Sequence, residues 1–452
     1  MAGLGKGGHM AVKKAGAGLK AGAIPGAVRR VLAAQPVFDL HTHLYPPSFG
    51  TPVANAAGPT DPWGMMLWGV DELVTYHYLV AELFRALPRG SLAPDGFWKM
   101  GKQEQADLVW KTLFVDRTPV SEACRGVLTT LAKLGLDPNE RSLQRYRKFF
   151  AAQDPEKYTG RVLKLAGVEA LTMTNDPFDD NERERWISGT ARGDRVFRTV
   201  LRIDPLLVAG TKAAEQMVKW GYRINPEAES ETLREVRRFL GDWIDRISPA
   251  YIAASLPPGF RYHVMEDDTD TWVGEDALRE AVLPVCAERN LPFAMMIGVR
   301  RGVNPELKGA GDMGGKADVA SVATLCREFP RNRFMVTMLS REDQHELAVA
   351  ARKFPNLMVF GCWWFLNNPS LIEEITRMRM ELLGTGFVPQ HSDARVLEQV
   401  IYKWAHSREA IGKVMAEKYA GLVATGRRVT VDDIRADAAL LLKDNALGFL
   451  AG

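Results

Sequence analysis

Short apolar runs alternate with amphipathic helical patterns along most of the chain. The clearest helix covers residues 232–247, whose apolar side chains recur every three or four positions and fall on one face. Eight apolar runs predict strands, at residues 36–41, 168–174, 197–202, 260–264, 293–298, 334–339, 357–361 and 387–391. Strands that alternate with helices indicate a parallel sheet, and eight such units favour an α/β fold of the (β/α)₈ barrel type over a doubly wound sheet.

The stretch between the first two predicted strands carries helical periodicity and no good strand pattern. Residues 100–114 and 120–134 both predict amphipathic helices. We therefore expect a helical insertion after strand 1, at about residues 60–160, within a barrel domain that covers residues 31–452. Residues 1–30 are rich in Gly, Ala and Lys without a solid apolar segment, which predicts a flexible tail rather than a signal peptide.

Composition narrows the classes of protein to consider. A chain of 452 residues that is 46% hydrophobic can bury a large core, and its net charge of +3 gives no case for nucleic acid or a membrane surface as a partner. No apolar run reaches the roughly 18 residues of a membrane span. The four cysteines, Cys124, Cys286, Cys326 and Cys362, lack metal-site spacing and predict buried thiols in a cytoplasmic protein.

Candidate chemistry lies at the ends of the first and last predicted strands. His41 and His43 are two residues apart, so on a strand both imidazoles point the same way and can bind one metal ion. Asp393 and Arg395 share the same spacing after the last strand, where a carboxylate suits a metal and a guanidinium suits an anionic substrate. Solvated histidines at a strand end, and an Asp393 that caps the following helix, are the alternatives.

The two strand ends are more informative together than apart. In a closed eight-stranded barrel the first and last strands are neighbours, and barrel enzymes keep their sites at the C-terminal ends of the strands. A centre of His41, His43 and Asp393 with open coordination positions suits Zn²⁺ or another first-row divalent ion. The middle strands carry no lysine that could bridge a second ion, which favours one metal.

Further motifs follow in order from about residue 36 to the end of the chain. They are His77-Tyr78, Thr174-Asn175-Asp176-Pro177, Arg202-Ile203-Asp204-Pro205, Ile297-Gly298-Val299-Arg300, Trp363-Trp364-Phe365, Ser392-Asp393-Ala394-Arg395 and Asp444-Asn445-Ala446. With the His-x-His pair, this series resembles the uronate isomerase (glucuronate isomerase) family of the amidohydrolase superfamily.

The resemblance implies a fold, a reaction and a set of site residues. The expected reaction is aldose–ketose isomerisation of a hexuronate such as D-glucuronate or D-galacturonate, with one divalent metal ion, most simply zinc, bound by His41, His43 and Asp393. Asp393 would move a proton in ring opening, and His77, Tyr78 or a water molecule would move the proton between C1 and C2. The residues expected to contact the substrate are Arg395, Arg202, Arg300, Trp363 and Trp364. The expected partner is a small sugar acid, and a homo-oligomer is left open.

Some positions depart from the family pattern. Met296 stands where the family has a histidine, Glu266-Asp267-Asp268-Thr269 stands for Ser-Asp-His-Gly, and Leu79-Val80-Ala81 stands for Lys-Trp-Arg. Because these changes remove polar groups from the expected pocket, they predict weak turnover of D-glucuronate or preference for a related sugar acid. His263 is either a spatial substitute or a core histidine. A hydrolase or decarboxylase of the same superfamily, and a non-catalytic sugar-acid-binding relative, are the rival functions.

The substrate-contact residues also have structural alternatives. Arg202 and Arg300 could form internal salt bridges, Trp363 and Trp364 could belong to the core, and His77-Tyr78 could serve helix packing.

Overall fold

Strands form at most of the apolar runs, and helices form where apolar residues recur with helical spacing. The computed structural model describes residues 17–52, 61–225, 229–262 and 272–452. The strands are β1 (Val37–Asp39), β2 (Val168–Thr172), β3 (Phe197–Arg198), β4 (Leu201–Arg202), β5 (Ile252–Leu256), β6 (Phe293–Ile297), β7 (Val299–Arg300), β8 (Met313–Gly314), β9 (Phe334–Met338) and β10 (Leu357–Val359).

The helices surround these strands and fill the long connection after β1. They are α1 (Ile24–Ala34), α2 (Val70–Val74), α3 (His77–Ala86), α4 (Pro94–Lys99), α5 (Lys102–Trp110), α6 (Glu122–Leu134), α7 (Gln144–Ala151), α8 (Pro155–Ala166), α9 (Asp180–Ile187), α10 (Asp204–Val208), α11 (Gly210–Lys219), α12 (Glu229–Ile247), α13 (Trp272–Asp276), α14 (Leu283–Glu288), α15 (Val319–Glu328), α16 (Gln344–Ala351), α17 (Pro369–Leu383), α18 (Gln399–Ala424), α19 (Val431–Ala439) and α20 (Asn445–Ala451). No helix within the described ranges is both long and apolar enough to cross a membrane.

The strands of the main sheet are all parallel. β1, β2 and β3 are neighbours in that order, and β4, β5, β6, β9 and β10 continue the series. β3 and β4 are consecutive parts of one strand, and a bridge between Asn175 and Leu201 joins β4 to the end of β2. β7 and β8 form a separate antiparallel pair beyond the end of β6.

The last barrel position is occupied by residues 387–394. Val388 bridges Phe360 beyond β10, the backbone N–H of Asp393 donates to the carbonyl of His41 at 3.1 Å, and the N–H of His43 donates to the carbonyl of Ala394 at 2.8 Å. Hydrogen bonds therefore join this segment to its neighbours on both sides. The predicted (β/α)₈ fold is confirmed.

Apolar side chains alternate between the two faces of the sheet. One cluster fills the inside of the ring with residues such as Phe38, Ala294 and Met335, while the residues between them in sequence pack outward against the helices. The predicted insertion after β1 is also observed: the described residues 68–166 form helices α2 to α8 and no named strand.

Three details differ from the sequence-based expectations. The strand predicted at residues 260–264 is wrong, because the strand is Ile252–Leu256 and Pro257-Pro258-Gly259 ends it before the aromatic run begins; His263 and residue 264 lie outside the described residues. The tail predicted at residues 1–30 is wrong from residue 24, because α1 buries Ile24, Ala27 and Val28. Residues 1–16 lie outside the described part.

The strand predicted at residues 387–391 is a single bridge rather than a regular strand. Pro389 has no N–H to donate, so a continuous ladder cannot form through this segment.

Candidate active site

The three predicted metal ligands lie together at the C-terminal end of the barrel. The Nε2 atoms of His41 and His43 are 3.5 Å and 3.4 Å from Oδ1 of Asp393, and one ligand atom from each residue lies within 4.8 Å of the others. His41 is 3% and Asp393 7% exposed. Two imidazole nitrogens and a carboxylate oxygen that converge in this way fit a divalent first-row metal ion with open coordination positions.

The backbone around Asp393 is held in an unusual conformation. Its φ of 51° lies in the left-handed region, which costs a non-glycine residue on the order of 1–3 kcal/mol. Asp39, fully buried in β1, fixes the adjoining chain: its carboxylate accepts the backbone N–H of Ser392 at 2.9 Å and the indole N–H of Trp404 at 2.8 Å. β1 therefore positions both the histidines that follow it and the aspartate of the last segment.

Burial and the local charges give Asp393 and His43 the protonation states that metal binding requires. Burial by itself raises the pKa of Asp393, but the neighbouring His41 and His43 outweigh it and the pKa lies well below its usual range. Burial and the positive charge of Arg395 lower the pKa of His43 to about 3. At neutral pH Asp393 is therefore a carboxylate and His43 a neutral imidazole.

His391 is a third imidazole beside the ligands, and the sequence analysis gave it no role. Its ring is fully buried and packs edge-on against His41 with the ring centroids 5.1 Å apart. Neither ring nitrogen has a hydrogen-bond partner among the described residues.

The chain is similar over its whole length to a uronate isomerase from Bacillus halodurans C-125. The two share 49% identity, the match covers 96% of this chain and 97% of that one, and the TM-score is 0.89. The chain belongs to the uronate isomerase family. A uronate isomerase from Thermotoga maritima and a glucuronate isomerase from Caulobacter crescentus share its fold, at 16% and 15% identity, over 94–96% of this chain and 95–97% of theirs, each with a TM-score of 0.71. No family model and no curated protein matches the chain.

The predicted His77-Tyr78 pair lies close enough to Asp393 for its charge to act on both side chains. His77 and Tyr78 begin α3, and neither Nε2 of His77 nor the hydroxyl of Tyr78 has a hydrogen-bond partner within the described part of the chain, although both atoms are buried. Burial first, and then the charge of Arg395, lowers the pKa of His77 to about 3. The ring of His77 lies 5.4 Å from that of Trp364, so α3 and the segment after β10 face each other.

The two predicted tryptophans belong to the segment after β10, which faces α3. Trp363 and Trp364 are both buried, and the Trp364 ring stacks on Phe365 with the centroids 5.1 Å apart. Trp364 has a φ of 47°, and its indole nitrogen has no hydrogen-bond partner in the described ranges. The indole N–H of Trp364 is therefore available to a bound ligand as far as the described residues are concerned.

The three predicted arginines differ in their surroundings. Arg395 is exposed, and its charge acts on His43 and His77. Arg202 donates to the carboxylate of Asp204, from Nε at 2.9 Å and also from Nη2. Arg300 is exposed on β7. Among the described residues, no contact joins Arg202 or Arg300 to the three metal ligands.

Two buried charged residues, Lys403 and Glu182, carry no motif that singles them out in the sequence. Lys403 lies in α18 one turn after the buried Val400, and a lysine inside the apolar pattern of residues 396–404 was the signal that could have found it. Glu182 lies in α9 within a run of charged residues, which is typical of a solvated helix and hides a buried carboxylate.

Glu182 connects the loops that follow the first strands. Its carboxylate accepts hydrogen bonds from the Tyr45 hydroxyl at 2.9 Å, the Asp176 N–H at 2.9 Å, the Asn175 amide at 2.7 Å and the Trp186 indole at 3.1 Å. Burial raises the pKa of Glu182 to about 7, against these hydrogen bonds, which lower it.

Two of the three departures from the family pattern lie among the described residues. Met296 is 2% exposed and belongs to the apolar cluster inside the barrel, level with Ser255 and Thr337 on the neighbouring strands. Leu79 and Val80 are buried in α3. Glu266-Asp267-Asp268-Thr269 lies outside the described residues.

Proposed function

We propose that the protein is a metal-dependent aldose–ketose isomerase that acts on a hexuronate such as D-glucuronate or D-galacturonate. The observation that carries this proposal is the full-length similarity to the uronate isomerase from Bacillus halodurans. The convergence of His41, His43 and Asp393 supports it, because the chain retains a ligand set able to hold a metal ion.

His41, His43 and Asp393 would hold one divalent ion, and zinc is our proposal for its identity because imidazole and carboxylate ligands suit it. When bound, such an ion supplies Lewis-acid polarisation of substrate oxygens. Asp393 is buried and anionic beside this position, so it can take the proton of the anomeric hydroxyl and return it to the ring oxygen during ring opening.

Isomerisation of the open chain moves one proton from C2 to C1 and another from O2 to O1, with no net gain or loss of atoms. We assign the carbon-to-carbon transfer to Tyr78. A neutral His77, whose conjugate acid has a pKa of about 3, holds a proton too weakly to accept one from carbon, whereas a phenolate is a far stronger base. His77 would instead direct its buried Nε2 to a substrate oxygen.

The substrate carboxylate needs a cationic partner, and Arg395 is the best-placed candidate. Its guanidinium is exposed and forms no ion pair within the described ranges, so its planar fork is free to bind a carboxylate with two hydrogen bonds. Arg202 and Arg300 are kept as further substrate contacts, with Arg202 already oriented by Asp204. Trp363 and Trp364 would form an aromatic wall for the sugar.

Other expectations remain proposals. We propose a single catalytic domain that begins at α1 rather than at residue 31, since α1 is packed into the core. The cytoplasmic location rests on four free, buried cysteines. A homo-oligomer is left open.

The test is a steady-state assay of the metal-loaded protein on D-glucuronate and D-galacturonate, beside a panel of amides, lactones and aromatic acids. The proposal predicts conversion of a hexuronate to its ketose and no reaction with the panel. An Asp393→Asn variant provides the matched inactive control. Hydrolysis or decarboxylation of a panel compound would favour the rival enzymes, and metal-loaded protein without any turnover would favour the binding relative.

A further inference from the structure

Lys403 is a buried cation with no ionic partner in the described part of the chain. It lies in the second turn of α18 and is 3% exposed. Among the described residues no carboxylate lies within 4.0 Å of its ammonium group, and no hydrogen bond to that group is formed. Burial of an ammonium group without a partner is unfavourable, and lysine is almost never fully buried unless it is paired. A function in the site would explain why this position is not apolar.

Lys403 lies next to Tyr78, a residue of the proposed site. Its ammonium nitrogen lies 5.6 Å from the ring centroid of Tyr78 and 5.6 Å from that of Tyr402, within cation–π range of both. Burial lowers the pKa of Lys403 to about 8, while the charges of Asp393, Glu122 and Asp39 raise it, in that order. The group is therefore mostly charged at neutral pH.

The positive charge of Lys403 bears on the ionisation of the Tyr78 hydroxyl. Burial raises its pKa well above 10, and the neighbouring Tyr76, Asp393 and Tyr402 raise it further, while Arg395 lowers it. The Tyr78 hydroxyl also lacks a hydrogen-bond donor that could stabilise a phenolate in the described part of the chain. A tyrosine in this environment needs nearby positive charge before it can act as a base.

We propose that Lys403 is a positioning residue of the isomerase site: its ammonium group, packed against the ring of Tyr78, supplies the buried positive charge that lets the Tyr78 oxygen act as the base at C2. This inference rests on the proposed function. Tyr78 first loses its hydroxyl proton to solvent. Its oxygen then takes the C2 proton while the C–H electron pair forms the C1–C2 double bond and the carbonyl electrons move to O1.

The same proton is returned to C1 while the hydroxyl proton of O2 passes to O1 and the double bond moves from C1–C2 to C2 and O2. Tyr78 ends as it began, and the ammonium group of Lys403 keeps its protons throughout. The role of Lys403 is therefore electrostatic, and it acts on the substrate only through Tyr78.

The experiment compares Lys403→Met and Lys403→Arg in two backgrounds, the natural chain and Tyr78→Phe. We expect Lys403→Met to lower kcat by about 10- to 100-fold, a part of what a positioned acid–base group contributes. It should also shift the rising limb of the kcat pH profile to higher pH, because loss of a cation raises the pKa of a phenol. Lys403→Arg should restore most of the activity and the position of the limb.

The Tyr78→Phe background separates action through Tyr78 from any other action. If Lys403 acts through the phenol, Lys403→Met has no further effect once the phenol is gone. The Tm of Lys403→Met should equal or exceed that of the natural chain, since an apolar side chain of similar size replaces a buried, unpaired charge. Metal content, measured by elemental analysis, should stay unchanged.

Lys413→Met is the matched control, because this lysine lies on the same helix with its side chain 58% exposed and pairs with Glu409 one turn away. It should change neither kcat nor the pH profile. Equal losses from Lys403→Met in both backgrounds, or a lower Tm with an unmoved pH limb, would overturn the inference. If the natural protein has no isomerase activity, the proposed function is wrong and this inference falls with it. If the natural protein is active and Lys403→Met leaves its kcat and pH profile unchanged, this inference alone is wrong.

Discussion

Gly361 leaves the space that the ring of His391 fills. A Cβ atom at position 361 would lie 1.9 Å from Cδ2 and 2.5 Å from Nε2 of His391, and the φ of Gly361 is 69°. Since the His391 ring packs against the metal-ligand candidate His41, the glycine after β10 determines how closely the neighbouring segment can approach the metal centre.

Gly361→Ala is therefore expected to disturb the metal centre as well as the fold. Overpacking costs about 1–3 kcal/mol, with the strain of a left-handed alanine in addition. Thermal unfolding should show a lower Tm, and elemental analysis should show less bound metal. Gly384→Ala is the control, since Gly384 has a similar φ of 62° but nothing within 4 Å of the added Cβ. Equal effects of the two changes would refute the steric argument.

Removal of a metal ligand should abolish metal binding and turnover together. For His41→Ala and Asp393→Asn we expect metal affinity to fall by more than the roughly 10- to 100-fold that loss of an outer partner costs. Titration of the metal-free protein with Zn²⁺ measures this directly. His345→Ala, at an exposed helical position, should bind metal normally. A stoichiometric metal content in either ligand variant would show that the ion binds elsewhere.

Arg395→Lys should impair turnover far more than folding. A lysine keeps the charge but loses the planar fork needed for two parallel hydrogen bonds to a carboxylate. Because Arg395 is exposed, the Tm should stay within a few degrees of the natural value while kcat/KM falls, by about 10-fold or more. Arg331→Lys, also exposed, should leave both values unchanged. Full activity in Arg395→Lys would mean that Arg395 does not bind the substrate.

Glu182 should contribute a pH dependence to stability. Its pKa in the folded protein is about 7 against 4.5 for an ordinary glutamate, so its stabilising contribution is complete below about pH 4.5 and is lost as the pH rises through 7. The difference corresponds to about 3 kcal/mol at most. Glu182→Gln should flatten the fall of Tm between pH 5 and 8, and Glu184→Gln, on the exposed face of the same helix, should not. A slope that survives in Glu182→Gln would assign it to another group.

Met296→His tests whether the departures from the family pattern affect the reaction. Met296 packs inside the barrel among apolar neighbours, so an imidazole there is expected to lose hydrogen bonds to water and lower the Tm. We expect no gain in turnover of D-glucuronate or D-galacturonate. A large gain would place position 296 at the reacting centre and support the expectation that the natural chain prefers a related sugar acid.

The sequence predicted the barrel better than it predicted the ends of the strands. Apolar runs such as 293–298 and 334–339 are bounded by clear turns, and their strands form there. The strand predicted from Phe260 was wrong because the aromatic pattern after Pro257-Pro258-Gly259 resembles that of a strand. The true strand β5 was missed because its small residues, which fill the narrow barrel interior, give a weak hydrophobic signal.

The grouping of His41, His43 and Asp393 could be predicted because these residues are spaced by the geometry of strands. Lys403 and His391 could not be assigned roles in the same way. Their importance depends on what lies across the barrel end, Tyr78 in one case and Gly361 with His41 in the other, and one sequence does not show such neighbours. Arg202 is the opposite case. Its partner Asp204 is only two residues away and can be found in the sequence, but this ion pair does not show whether Arg202 contacts a substrate.

The hydrogen bond from the backbone N–H of Ser392 to the Asp39 carboxylate joins residues 353 positions apart. During synthesis the two histidines leave the ribosome long before Asp393, which completes the candidate centre. A nascent or truncated chain thus offers a metal ion two imidazoles and no carboxylate from Asp393. A metal ion can bind all three candidate ligands only after Asp393 has been synthesised, which couples loading of the ion to synthesis of the last barrel segment.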